Sequence, residues 1–312
     1  MRDRKLLSQL QEHVYLHYVG IETDIIFNKG IHLSGFASYP LLETSNGRDI
    51  LRSYSDQLLQ IGHENKCGII LDSATWVANR DRGAKIGYSS EKLAEINKAS
   101  IDLIAEVRRN AGDRSILLCA QMGPRGDGYS PGDQMTIDQA TSYHSEQMKT
   151  LSKTEADFVG GFTICYAEEA AGIIRAGQQY DIPVVISFTI ETDGRLPSGQ
   201  LLGDAIGLVD ETTDQGALYF LINCAHPDHI NNALTDDAWL KRLRGVVVNA
   251  SRCSHAELDE ALELDAGDPD ELGWQLGELK RKYPHFTIFG GCCGTDFRHM
   301  ESIAKNLTSK RQ

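Results

Sequence analysis

Ala217-Leu-Tyr-Phe-Leu-Ile-Asn-Cys224 runs six apolar residues into an amide and a thiol. A strand with one wet face alternates in polarity, whereas an unbroken apolar run is what a parallel strand covered on both faces requires. The same texture recurs at 13–19, 67–72, 115–121, 157–163, 183–190, 245–249 and 286–290, which makes eight candidate strands. Amphipathic stretches at 49–64, 90–110, 136–153, 167–180, 203–213, 255–264, 271–282 and 296–307 read as helices. Capping boxes mark two of the starts, Thr136 with Gln139 and Ser254 with Glu257. Eight strands with eight crossover helices in 312 residues is the arithmetic of an α/β fold, a single (β/α)8 TIM barrel. A doubly wound sheet is the runner-up, but Gly20-Ile-Glu-Thr23 after the first strand is no dinucleotide fingerprint. No linker divides the chain, so residues 1–312 are expected to form a single domain.

A formal net charge of -13 argues against nucleic-acid and other polyphosphate partners. The seven cysteines, at 67, 119, 165, 224, 253, 292 and 293, are odd in number and scattered, so they form no disulfide framework. Neither a leader's apolar core nor a membrane-length apolar stretch is seen, and a cytoplasmic location is expected. A chain of this size buries about 75% of its unfolded surface, so a metal would serve function rather than folding.

In a barrel, chemistry is done at the C-terminal ends of the strands. Cys224 closes strand six. Cys292 and Cys293, inside Gly290-Gly-Cys-Cys-Gly-Thr295, close strand eight. Alternate strands feed one layer, so these thiols can address a common centre. Neighbouring strand residues face opposite ways, so the backbone must turn there, and Gly290, Gly291 and Gly294 are expected to supply the unusual dihedrals. Three thiolates suit Zn2+, with Zn–S near ~2.3 Å and a fourth position open. They leave the ion with one net negative charge, poor for activating water but able to hold an incoming thiol as a nucleophilic thiolate. Two plainer readings stay open on spacing alone. Cys293 could be a nucleophile ahead of the last helix, or the cysteines could be small core residues, the role assigned to Cys67, Cys119, Cys165 and Cys253.

Asn223-Cys224 combined with Gly290-Gly-Cys-Cys-Gly-Thr295 resembles the homocysteine S-methyltransferase family. Weaker matches are Gly20-x-x-Thr23, Gly123-Pro-Arg-Gly126, Glu169-Ala170, Ser187-Phe188, Asp193-Gly194 and Asn249. The resemblance implies a (β/α)8 barrel in which Cys224, Cys292 and Cys293 are the catalytic Zn2+ ligands. It implies methyl transfer from a small onium donor, of the S-methylmethionine or S-adenosylmethionine type, to a thiol. Homocysteine is the default acceptor and methionine the product. Residues 1–312 show no cobalamin or folate module beside the barrel, so a methionine-synthase-type donor is not expected.

Two departures matter. Where the family carries Asp-Gly-Gly after strand one, this chain has Tyr18-Val19-Gly20; where it carries Glu-Thr after strand four, this chain has Phe162-Thr163. By the resemblance those carboxylates help to hold the amino-acid end of homocysteine, so either another acid takes over, with Glu22, Asp24, Asp72 and Glu191 as candidates, or the thiol is not homocysteine. Thr23, Trp76 and Asn249 complete the substrate-binding candidates, Trp76 as an aromatic wall for a cationic donor or else as packing. The alternative function is a zinc-binding relative that acts on another thiol or serves as a non-catalytic binding protein. Expected partners are a small-molecule thiol and a methyl donor, with neither nucleic acid nor membrane; a homo-oligomer is compatible with the sequence.

Three other features receive plain readings. His226 and His229 are assigned loop and helix-start roles rather than ligation. Gly123-Pro-Arg-Gly-Asp-Gly-Tyr129 is a tight loop bordering the mouth, and acidic 265–271 is a solvated connection.

Overall fold

The computed structural model describes residues 10, 11, 13–112 and 115–309. Eight parallel strands close into a barrel in sequence order. They are β1 (Tyr15–His17), β2 (Gly68–Asp72), β3 (Ile116–Met122), β4 (Phe158–Ile164), β5 (Val184–Thr189), β6 (Ala217–Asn223), β7 (Leu243–Val248) and β8 (Ile288–Gly291). The ring shuts where Tyr15 pairs with Ile288 and Leu16 with Phe289. Each strand coincides with an expected apolar run, and the reason is visible in the packing. Tyr15, Ile70, Leu117, Phe158, Val185 and Leu221 form one buried cluster inside the barrel. Their immediate neighbours Leu16, Leu71, Leu118, Val159, Ile186 and Ile222 belong to a second cluster under the helices. Both faces are dry, so the period-2 signal disappears.

The interior is not wholly apolar. His17 Nε2 lies 2.9 Å from the Asp72 carboxylate, and both side chains are buried.

Long helices follow β1 (Ser45–Asn65), β2 (Ser90–Ala111), β3 (Ile137–Leu151), β4 (Ala167–Gln179), β5 (Leu202–Thr213), β7 (Pro269–Lys282) and β8 (Phe297–Thr308). Side-chain caps fix many of their starts, each worth about 1 kcal/mol. Thr44 accepts from Gly47 N, and the Thr136–Gln139 and Ser254–Glu257 boxes form as expected.

The expected 255–264 and 271–282 fall between β7 and β8, as their bounds imply, the first shortened to His255–Asp259. The β6–β7 crossover, for which the sequence offered no helix, is the seven-residue Pro227–Ala233 with a 3-10 turn at Ala238–Arg242. Two turns are too short to display a 3.6-residue period, which is why it escaped the pattern. His226 caps that helix by accepting from Asp228 N.

Cys67, Cys119 and Cys165 are buried as expected, but Cys253 is exposed, because it lies in the loop after β7 rather than on a covered strand. No helix among the described residues is long and apolar enough to cross a membrane.

Candidate metal centre

Cys224 follows β6 with a left-handed backbone (φ 53°), a conformation costly for a residue with a Cβ. Tyr18 after β1 (φ 58°) and Thr163 in β4 (φ 61°) share it. The neighbour of Cys224 helps to hold this geometry: Asn223 Oδ1 accepts from Thr163 N at 2.9 Å while its Nδ2 donates to Thr163 Oγ1 at 2.9 Å. Beyond β8 the chain turns through Cys292 and Cys293, and Cys292 N donates to Val248 O at 2.6 Å.

The glycines of that turn do different work from what the sequence suggested. Gly294 alone has a positive φ, 77°. Gly290 and Gly291 are required for space: a Cβ would lie 1.5 Å from His17 O in the first case and 2.2 Å from Thr295 Oγ1 in the second.

Two threonines stitch this turn to the loop after β1. Thr295 Oγ1 donates to Cys292 O at 2.7 Å and accepts from Gly20 N at 3.1 Å. Thr23 Oγ1 donates to Gly20 O at 2.9 Å and accepts from Gly294 N at 3.2 Å. The result brings the Sγ atoms of Cys224, Cys292 and Cys293 within 4.8 Å of one another, a group able to hold a metal ion.

Hydrogen bonds from Cys292 and Cys293 hold the Cys224 thiol well below its ordinary value, while bonding to Cys224 pushes the other two well above theirs. Further donors converge on the same sulfur: Tyr129 Oη at 3.1 Å and Asn249 Nδ2 at 3.6 Å. His255 packs on Tyr129 with ring centroids 4.1 Å apart. Its Nε2 meets Cys224 O at 2.8 Å and its Nδ1 meets Glu191 Oε1 at 3.0 Å. Both partners are acceptors, so both ring nitrogens carry protons and the ring is an imidazolium. Burial opposes that charge, but Cys224 and Glu191 outweigh it and raise His255 to about 10. Neither Tyr129 nor His255 was singled out from sequence. The glycine-rich loop carrying Tyr129 was a usable signal; nothing in the spacing marked His255.

Two chambers meet at the thiols. The inner one is bordered by Tyr18, Glu22, Phe162, Asn223 and Cys292, the outer one by Arg82, Asp127, Cys224, Asn249 and His255. Thr23, Phe36, Trp76, Tyr129 and Cys293 border both. Glu22 is buried and accepts from Tyr18 Oη and from Ser38 Oγ (2.8 Å), yet burial leaves its carboxyl raised above the usual range.

The other candidate acids are engaged elsewhere. Asp72 faces His17, Asp24 accepts from Tyr54 Oη, and Glu191 bonds His255. Asp265, expected in a solvated connection, borders the outer chamber.

The family model described as homocysteine S-methyltransferase matches residues 9–307. Homocysteine S-methyltransferase 2 of Arabidopsis thaliana is 24% identical over 269 residues, covering 78% of this chain and 79% of the relative. Selenocysteine Se-methyltransferase of Brassica oleracea var. italica is 25% identical over 268 residues, covering 78% and 76%. Among solved structures, the oxidized form of the homocysteine methyltransferase MmuM from Escherichia coli superposes with a TM-score of 0.75 at 17% identity, covering 97% of this chain and 98% of that one. Its metallated form gives 0.70 at 17% identity, covering 99% and 100%. At that identity the superposition speaks for the barrel.

Proposed function

Because the chain belongs to the homocysteine S-methyltransferase family and is a methyltransferase of that class, we propose that it moves a methyl group from a small onium donor to a thiol, homocysteine by default, at a zinc ion held by Cys224, Cys292 and Cys293. The observation that carries this reading is the convergence of three thiols, from two strand ends, where two chambers meet. The donor set suits the ion. Tetrahedral Zn–S bonds of about 2.3 Å place sulfurs about 3.8 Å apart, a spacing that thiols already within 4.8 Å reach by small side-chain adjustment. When bound, zinc keeps an incoming thiol in its nucleophilic thiolate form.

The chain's own residues supply the rest. The acceptor is assigned to the inner chamber, whose free space of about 30 Å³ must widen to admit it, and Glu22 is the acid left to meet its ammonium, since an unpaired buried charge is costly. Tyr18 and Ser38 fix that carboxylate by hydrogen bonds. Asp72 is withdrawn from this role by His17. Asn249 and Tyr129 donate to the Cys224 sulfur, and the His255 imidazolium offsets thiolate charge beside it. Thr23 holds the two loops in register.

Trp76, bordering both chambers with Phe36, gives the cationic donor an aromatic face. The acceptor sulfur attacks the donor's methyl carbon in line. The donor's own bond to that carbon breaks with its electron pair, and the leaving group departs neutral, so no residue has to donate a proton. Alignment is the main contribution. Residues 1–312 are taken to act as one barrel domain.

Tyr18 and Phe162 in place of carboxylates favour a second reading, in which the same centre methylates a thiol other than homocysteine. Zinc-edge X-ray absorption during homocysteine titration separates the two. A fourth sulfur around zinc is expected; unchanged coordination at millimolar homocysteine rules that acceptor out. Cys292→Ser should lose most of the zinc while its circular dichroism remains that of the wild type. Stoichiometric zinc in that variant would show the ligand set to be wrong.

A further inference from the structure

We infer that Glu169, backed by His144, is a positioning residue for the metal centre: it fixes the loop that delivers the Tyr129 hydroxyl to the Cys224 sulfur. The inference rests on the zinc-centre reading above and extends it to two side chains that border neither chamber.

Tyr129 lies in the loop between β3 and the helix Ile137–Leu151. Among the described residues, none of 124–135 makes a backbone-to-backbone hydrogen bond. The loop therefore takes its shape from side chains that meet its backbone groups. Three of these are buried. Asn79 Nδ2 donates to Pro124 O at 3.0 Å, Glu169 Oε1 accepts from Arg125 N at 2.7 Å, and Tyr166 Oη accepts from Met135 N at 3.1 Å. Arg125 precedes Tyr129 by four positions, whereas Pro124 is five away and Met135 six. Glu169 thus holds the chain nearest to Tyr129, and its charge makes the bond about twice as strong as a neutral pair.

Burying a carboxylate is costly unless it is paired, and no lysine or arginine among the described residues pairs with this one. Its position in the first turn of the helix Ala167–Gln179 favours an anion. The rest falls to His144, whose Nε2 lies 3.0 Å from the same Oε1. A carboxylate only accepts, so Nε2 carries the proton. The His144 ring meets the Tyr143 ring edge-on at 5.0 Å, and the Tyr143 hydroxyl donates to Asn79 Oδ1 at 3.0 Å. The holds on Pro124 and Arg125 therefore belong to one buried network.

Beyond Arg125 the loop has little room to move. A Cβ on Gly128 would lie 2.6 Å from Thr163 Cγ2 and 2.8 Å from Thr163 O. Thr163 is in turn bonded by Asn223, the neighbour of Cys224. Between these two fixed points Tyr129 Oη reaches Cys224 Sγ at 3.1 Å. A donor on a ligand sulfur sets how well that sulfur holds a metal, and losing such a partner costs about 10- to 100-fold in affinity.

Zinc affinity, by competition with a chromogenic chelator, and amide hydrogen exchange test this on the full chain. Tyr129→Phe and Glu169→Ala should each weaken zinc about 10-fold or more. Glu169→Ala should also speed exchange in the segment 124–131 about 10- to 100-fold, the worth of a hydrogen bond to a charged group. In the Tyr129→Phe background, Glu169→Ala should cost zinc nothing further, because both act through one contact. Glu169→Gln keeps an acceptor for Arg125 N and should recover most of the affinity. Should Glu169→Ala fail to fold, Glu169→Met combined with His144→Phe replaces both buried partners by apolar groups of similar shape and carries the same expectations. Additive losses with Tyr129→Phe, or wild-type zinc affinity in Glu169→Ala or in Tyr129→Phe, overturn the positioning role. Unchanged exchange overturns the hold on the loop itself. Absence of zinc from the wild type is the separate failure of the zinc-centre reading, and it shows before any variant is made.

Discussion

At Glu22, burial and hydrogen bonding pull in opposite directions. Desolvation pushes the carboxyl up, the hydroxyls of Tyr18 and Ser38 pull it back, and the net shift is upward. A folded-state value above the unfolded one means that the folded chain binds this proton more tightly. The free protein therefore has this contribution in full below the ordinary carboxylate range and loses it as pH rises through the raised value. An ammonium bound alongside reverses the preference, because it needs the ionised form. Acceptor KM should accordingly fall as pH rises through that window. Glu22→Gln should flatten the dependence and raise acceptor KM about 10- to 100-fold, as for other charged hydrogen-bond pairs, with zinc content unchanged. A KM–pH profile identical in the variant would remove Glu22 from acceptor binding. Sequence alone left four acids in contention, because the contacts that decide among them are remote in the chain. His17 and Asp72 are 55 positions apart, and Glu191 and His255 are 64 apart. Tyr129 was hidden for the same reason, 95 positions from Cys224.

Among the elements, the loop after β1 and the turn after β8 act as one piece. Gly20 shows how tightly they fit: a Cβ there would lie 2.3 Å from Cys292 O and 2.8 Å from Thr295 O, both backbone atoms. Gly20→Ala should displace the Cys292 turn and weaken zinc binding at least ~10-fold, about 1.4 kcal/mol, while leaving the helices and most strands in place. Competition with a chromogenic chelator measures this; wild-type affinity in the variant would mean that the turn tolerates the shift. This coupling was only half legible. The glycines around the cysteines were conspicuous, but their reading as dihedral devices holds for Gly294 alone, since close approach leaves the same letter in the sequence as a left-handed turn. Strands and long helices were readable from apolar runs and capping boxes. Pro227–Ala233 was not, for its two turns carry one fully buried apolar side chain besides the proline, Ile230.

For the molecule as a whole, the strands are buried on both faces, in one cluster inside the barrel and another under the helices, a core large enough to fold without a metal. Chelation of zinc should therefore lower Tm by only a few degrees, in line with about 2.7 kcal/mol of linkage at a free metal concentration 100-fold above Kd. Far-ultraviolet circular dichroism should be retained. Unfolding on chelation at ambient temperature would make the metal structural instead. The closed barrel was legible because eight continuous runs permit few other arrangements, whereas the β6–β7 crossover helix and the identity of the substrates were not, the latter because it resides in single side chains at strand ends.

The seam between β1 and β8 also sets a timetable. During translation β1 is the first strand to emerge, but its second hydrogen-bonding edge has no partner until β8 has been made, about 270 residues later. Cys224 follows β6, and Cys292 and Cys293 lie immediately beyond β8, so the nascent chain has none of the three sulfurs until β6 is complete and only one until β8 is complete. A metal can consequently meet the assembled trio only after β8 and the turn beyond it have been made, so the seam that closes the ring and the centre it carries depend on the same late stretch of chain.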